Sequence, residues 1–264
     1  MDLDLTGKRA LVTGGSRGIG RAVARQLALE GCDVVVVARG EIELKTAAAD
    51  LAHESGRRVV AIPADTADDA SVADMAARAN AELGGVDILI NAAARSAGGG
   101  GPAMLMDVAT IRQEFDIKAL GYLRCVQRLA PQMVDRGWGR IINVGGLAAR
   151  QSGAVSAAIR NVAVAALTKN LADELGPSGV TVTAVHPGVS KTERIAMRIE
   201  QRATERGLST AEVAADMGAA YAIGRIVEPA EIGYVVAFLA SPRSVAINGD
   251  AIACGGGKVG AIYY

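Results

Sequence analysis

The chain has 264 residues, half of them hydrophobic and 21% charged, which excludes a disordered segment or a miniprotein and supports a substantial core. Its 28 lysines and arginines match its 28 aspartates and glutamates, so no global field holds nucleic acid or an anionic membrane, and aromatic residues, at 3%, are too few for base-stacking platforms. No apolar run approaches the roughly 20 residues of a membrane span, and Met1-Asp2-Leu3-Asp4 lacks a signal peptide's basic start, so a soluble cytoplasmic protein is expected.

Short β-rich apolar runs at 10–13, 34–37, 59–62, 86–90, 141–144 and 180–185 alternate with segments of helical period. Repeated strand-then-helix order requires crossover connections, and strands apolar on both sides require helices on both faces, so a doubly wound parallel α/β sheet in three layers is expected. Gly31, Gly56 and Gly84-Gly85 stand where left-handed residues stop the first three helices. Asp107 caps a long helix reading Ile111, Phe115, Leu120, Leu123 and Val126, and Ser209 to Glu212 fits a capping box. The charge-rich segment 191–222 breaks the rhythm, either as an insertion covering a substrate or as a solvated helical pair.

Thr13-Gly14-Gly15-Ser16-Arg17-Gly18-Ile19-Gly20 follows the first run directly and opens a helix with the stripe Ile19, Val23 and Leu27. Glycines 14 and 18 let the backbone turn tightly toward a pyrophosphate held on the unpaired N–H groups of the helix start, and glycine 20 allows close helix–sheet packing. Arg39 stands past the second strand, where an NAD-selective site places a carboxylate, while Asp33 lies at the wrong end of that strand. With Arg17, two fork-shaped guanidiniums suit a 2′-phosphate, so NADP(H) rather than NAD(H) is expected.

In these residues the chain resembles the short-chain dehydrogenase/reductase family over nearly its whole length. The glycine loop is similar to the family's TGxxxGxG, Asp65 with Thr66 to its adenine contact, and Asn91-Ala92-Ala93-Ala94 to its NNAG. His186-Pro187-Gly188-Val189 followed by Thr192 resembles the PG-x-x-x-T segment at the nicotinamide. Gly224-Arg225, Pro229 to Ile232 and Phe238 to Ser241 resemble the C-terminal helix region, and 249–257 the last strand. The resemblance implies one Rossmann-type domain over residues 1–264. It implies coenzyme contacts at Gly14, Ser16, Arg17, Gly18, Ile19, Gly20, Arg39, Asp65, Thr66, Asn91, Ala92, Ala93, Pro187, Gly188, Val189 and Thr192. It also implies a homotetramer or homodimer joined by long helices at 107–136 and 154–175. Leu123, Val126, Leu129, Val155, Ile159, Val162 and Ala166 fit a core and an interface equally.

The family's hydride transfer uses a serine, a tyrosine and a lysine four residues later, with an asparagine on the preceding helix; lysine lowers the tyrosine pKa, and tyrosine exchanges the carbonyl proton. Here Lys118 falls at the asparagine position and Gly146 at the serine. Counting back from Leu167-Thr168-Lys169 puts Ala157 at the tyrosine and Asn161 at the lysine. No tyrosine occurs from 123 to 220. A methyl group donates no proton, and loss of a positioned general acid costs about 10²–10⁴ in rate, so the standard carbonyl-reductase mechanism is not expected. Ser156 and Arg160 keep the i, i+4 spacing but sit about 100° away around the helix. Lys118 is either a substitute cation or an ordinary solvated or ion-paired helix lysine, and Asn161 retains a hydrogen bond to the nicotinamide ribose.

The remaining polar residues read more simply. His186 reads as a satisfied semi-buried histidine, Cys125 as core, and Gly98 to Gly101 as a flexible connection; Tyr221, Tyr263 and Tyr264 read as structural. Cys32, Cys125 and Cys254 form no CxxC pair, and with only His53 and His186 beside them no metal site is expected. Two functions follow: an NADP(H)-dependent oxidoreductase on an unidentified small-molecule carbonyl or alcohol by a non-standard mechanism, or a dinucleotide-binding or partner protein of the same fold without hydride transfer. Nothing positive points to non-redox chemistry such as isomerisation.

Overall fold

Four consecutive valines leave β2 (Asp33–Ala38) without a polar face, and in the computed structural model both of its faces are covered. The structure describes residues 1–95 and 102–262. Val34 and Val36 pack with α1 (Gly18–Leu29) and α2 (Glu41–Ser55), while Val35 and Val37 belong to a second core on the opposite side. The same alternation runs through β1 (Arg9–Thr13), β3 (Val59–Pro63), β4 (Ile88–Asn91), β5 (Gly139–Val144) and β6 (Val180–Pro187), and β7 (Ala251–Cys254) closes the row. The sheet is seven-stranded and parallel in the order β3-β2-β1-β4-β5-β6-β7. Helices α3 (Asp69–Leu83), α5 (Gly121–Asp135) and α6 (Val155–Leu175) cover the second face, and α9 (Pro229–Ala240) joins α1 and α2 on the first. The result is a single-domain Rossmann-type sheet. Its strand order reverses between β1 and β4, which opens a crevice at the carboxyl ends of those strands.

The left-handed glycines at the first three helix ends have φ of +92° at Gly31, +66° at Gly56 and +74° at Gly84. β4 begins later than the apolar run at 86–90, because the Val86 N–H is taken by Gln132 Oε1 at 3.0 Å rather than by a ladder. Cys125 is wholly buried.

The long helix expected after Asp107 is not one uniform α-helix. Asp107 caps the Ala109 and Thr110 N–H groups, and α4 (Val108–Phe115) passes through a π-helical turn at Asp116–Leu120 into α5. At about 100° per residue Leu120 falls on the far side of the helix from Ile111, while Lys118 falls on the same side as Ile111 and Tyr122. Leu120, expected inside, is 40% exposed, whereas Glu114 and Lys118 are buried. Thr66 Oγ1 donates to the Ile117 carbonyl at 3.3 Å, and Arg124 bridges Asp116 at 2.8 Å and Asp69 at 3.0 Å. Gly121 leaves the turn where a Cβ would stand 2.9 Å from the Thr66 carbonyl, so only glycine admits that approach.

At the next residue, the Tyr122 hydroxyl, wholly buried, donates to the Val144 carbonyl at 3.0 Å and ties α5 to the end of β5. Tyr122→Phe should lower the unfolding free energy by about 1 kcal/mol, read from urea denaturation, because the carbonyl stays buried without its donor.

Candidate functional site

At the carboxyl end of β1, Thr13 Oγ1 accepts the Ala92 and Ala93 N–H groups at 3.0 and 3.1 Å, which holds the segment after β4 against the glycine loop. Gly18 has φ +56°, and a Cβ on Gly20 would stand 2.2 Å from the Gly14 carbonyl, so the first turn of α1 lies directly on the loop. Ser16 is buried and Arg17 is the extended residue before α1. The Gly18 N–H already holds an anion: Glu193, the first residue of α7 (Glu193–Arg206), accepts from it at 3.1 and 3.4 Å, and Thr192 packs against Gly18. An unpaired N–H at a helix start that accepts a carboxylate is of the kind that also suits a phosphate.

Arg39 lies beyond β2 over a cavity of about 340 Å³ lined also by Pro63, Ala64 and Asp65, with Asp65 Oδ2 3.9 Å from its guanidinium. Arg39 is thus joined to Asp65, and Arg17 to a different group. Desolvation and then Arg160, Arg198 and Arg17 lower the pKa of Arg194, in the first turn of α7, so cations converge where α7 meets the glycine loop. Thr66 spends its hydroxyl on the π turn. On the other side, the Val189 N–H donates to the Tyr221 hydroxyl at 3.1 Å, which fixes the Pro187-Gly188-Val189 turn. Charge-rich 191–222 forms α7 and α8 (Thr210–Gly218), with the Ser209–Glu212 capping box present.

Deeper in the crevice, Asn91 Nδ2 donates to Asn143 Oδ1 at 3.0 Å, and Asn143 Nδ2 to Thr168 Oγ1 at 3.0 Å. The Asn91 and Asn161 side-chain oxygens are buried without a hydrogen-bond partner among the described residues. Gly145 and Gly146 allow a close approach that larger residues do not. A Cβ on Gly145 would meet His186 Nδ1 at 2.3 Å, and one on Gly146 would meet Asn161 Nδ2 at 2.8 Å. The Gly146 N–H donates to His186 Nδ1 at 3.1 Å. His186 is therefore wholly rather than half buried.

Lys118 is not a solvated helix lysine. It is 5% exposed, and Nζ donates to the Gly145 carbonyl at 2.9 Å. Ser156 and Arg160, one step before Ala157 and Asn161 on α6, both bond the buried Glu114 carboxylate. Sequence reasoning passed over Glu114, Tyr122, Glu193 and Arg194. The signal for Glu114 was its place four residues before Lys118, an i, i+4 pair on one face. Gly98 to Gly101, Tyr263 and Tyr264 lie outside the described residues. No group of metal-ligating side chains occurs among the described residues, and no described helix is long and apolar enough to cross a membrane.

Comparison with known proteins places these features in context. The family described as short chain dehydrogenase matches residues 8–203. The short-chain reductase protein NovJ of Streptomyces niveus is 35% identical over 94% of this chain and 93% of its own length. A ketoacyl reductase of Streptomyces coelicolor, itself a provisional assignment, is 35% identical over 94% and 95%. Among solved structures, L-sorbose reductase of Gluconobacter frateurii, complexed with NADPH and L-sorbose, superposes with TM-score 0.94 at 26% identity over 99% of this chain and all of that one. An actinorhodin polyketide ketoreductase with NADPH gives 0.87 at 32% identity, over 94% and 96%.

Burial, then Arg150 and Lys118, push the His186 pKa from 6.5 down to about 4. The unfolded chain therefore binds the extra proton between those values, and stability falls by about 1.4 kcal/mol per unit as pH drops through that window. In urea titrations from pH 7 to 4, His186→Asn should flatten that slope.

Proposed function

The chain belongs to the short chain dehydrogenase family, and from that premise we propose that it is an NADP(H)-dependent oxidoreductase that interconverts a small-molecule carbonyl and alcohol by a non-standard mechanism. The observation that carries the coenzyme reading is the Gly18 N–H, which already bonds a carboxylate at the start of α1 and suits a pyrophosphate once Glu193 moves aside. Arg39 at the mouth of the Asp65 cavity suits a 2′-phosphate, and NADPH in the L-sorbose reductase and ketoreductase structures is consistent with that preference. Asn91, Ala92, Ala93, Pro187, Gly188, Val189 and Thr192 would add further coenzyme contacts, and Asn161 offers its unpartnered amide oxygen to the ribose. When bound, the coenzyme supplies or accepts hydride. Helices α7 and α8, as an insertion at about 191–222 in the single domain, would cover the substrate.

The mechanism is non-standard because Gly146, Ala157 and Asn161 offer neither hydroxyl nor ammonium at the positions matched to the family's serine, tyrosine and lysine. The close approach of Gly146 to Asn161 leaves no room for a serine side chain unless Asn161 shifts. That same packing favours the second reading, a dinucleotide-binding or partner protein without turnover. Fluorescence titration with NADPH and NADH, followed by absorbance with NADPH and a panel of aldehydes and ketones, separates them. Tighter NADH binding overturns the coenzyme assignment. NADPH binding with no oxidation across the panel favours the second reading. Arg39→Ala should weaken NADPH binding about tenfold and leave NADH binding within about twofold, the loss of one charge-assisted contact to an exposed phosphate.

A homodimer or homotetramer is proposed on the stripe of Ile159, Val162 and Ala166, which is exposed on α6, whereas Val126 and Leu129 of the neighbouring helix are buried. Light scattering should give two or four times the 26.9 kDa chain mass; a monomer defeats the assignment.

A further inference from the structure

We propose that the ε-ammonium of Lys118 is the proton donor to the substrate oxygen, standing in for the missing phenol; this rests on the oxidoreductase reading above. Lys118 lies buried in the π turn, and Nζ is fixed on the carbonyl of Gly145, the residue directly before Gly146 after β5. One ammonium proton holds that carbonyl and two remain for other acceptors.

The groups that face it are accounted for. From α4 comes Glu114, already bonded by Ser156 and Arg160 of α6. From β6 comes His186, with Arg150 beside it, and the histidine keeps its Nδ1 lone pair on the Gly146 N–H. From α5 comes Tyr122, whose proton is committed to the Val144 carbonyl and whose pKa burial raises. Neither histidine nor phenol has a proton to give near neutrality. Burial, then Arg160, lower the Lys118 pKa from 10.5 to about 7, with Glu114 opposing them. That places its proton affinity where general acid catalysis is most effective.

In the reductive direction the bound coenzyme supplies hydride, with its electron pair, to the carbonyl carbon. The C=O π pair moves onto oxygen, which takes a proton from Lys118; one N–H bond breaks and one O–H bond forms. The alcohol and the oxidised coenzyme leave, and water returns a proton to the neutral amine. Oxidation of an alcohol runs the same steps backwards, with the neutral amine as base.

The test uses the full chain, wild type and Lys118→Met, with Lys118→Gln as the second variant should the first fail to fold. The first readout needs neither coenzyme nor substrate. Because the folded pKa lies below the unfolded one, the unfolded chain binds the extra proton between pH 7 and 10.5, so wild-type stability in urea should rise with pH relative to that of the variant across that window. The buried cysteines and Tyr122, whose pKa values burial raises, titrate alike in both proteins and cancel in the difference. The second readout is NADPH oxidation with whichever panel carbonyls the wild type accepts. Wild-type reduction should fall about tenfold per pH unit above the Lys118 pKa. The variant should lose about 10²-fold or more in kcat while binding NADPH within about threefold of wild type. Variant turnover within threefold of wild type, or a wild-type-minus-variant stability difference flat across that window, overturns Lys118 as donor and leaves the oxidoreductase reading intact. NADPH binding without turnover by the wild type overturns both.

Discussion

Glu114 and Lys118 lie four residues apart on one side of the helix that passes through the π turn at Asp116–Leu120, and both are buried, while Leu120 on the other side is exposed. Two charges in an apolar interior are costly unless partnered. Here Arg160 and Ser156 meet the carboxylate, and the Gly145 carbonyl meets the ammonium. The turn is held in turn by Thr66, Arg124 and the missing side chain of Gly121, so the geometry of the polar interior depends on the loop after β3.

The absent side chains at 145 and 146 are part of the same packing. His186 Nδ1 and Asn161 Nδ2 occupy the volume that Cβ atoms would need, and the Gly146 N–H completes a hydrogen bond with the histidine. Glycine at 146 and asparagine at 161 therefore form a matched pair. A serine placed at 146 would require Asn161 to move first, because close-packed interiors transmit such changes to their neighbours.

At the other end of the crevice, Glu193 rests on the Gly18 N–H and ties the start of α7 to the glycine loop. A carboxylate there is stabilised by the unpaired donors of the helix start, the same property that suits them to phosphate. Opposite it, Arg194, Arg198 and Arg17 concentrate positive charge. The anchorage of α7 and the phosphate contact proposed for the loop would use one set of groups, so the two would compete.

Much of the fold was legible in the sequence because it rests on local signals. Apolar runs without a polar face required a sheet covered on both sides, glycines marked the helix ends, and Ser209 with Glu212 announced a cap that is present. The glycine loop and Arg39 could be named as candidates because a phosphate site of this kind is built from a short contiguous stretch and one strand end. By contrast, a charged residue reads as solvated whichever side of a helix it occupies, so the apolar period could not foresee that Lys118 and Glu114 are buried. Nor could it tell that Val126 and Leu129 lie in the core while Ile159 and Val162 face outward, since both sets have the same composition and spacing. The sequence by itself determined the sheet, its cover of helices and the glycine loop, because hydrophobic period and backbone freedom act over a few residues. The tertiary structure decided which charges were buried and what each touches. Those contacts join α4, β5, α6 and β6, segments up to about seventy residues apart, and only packing brings them together.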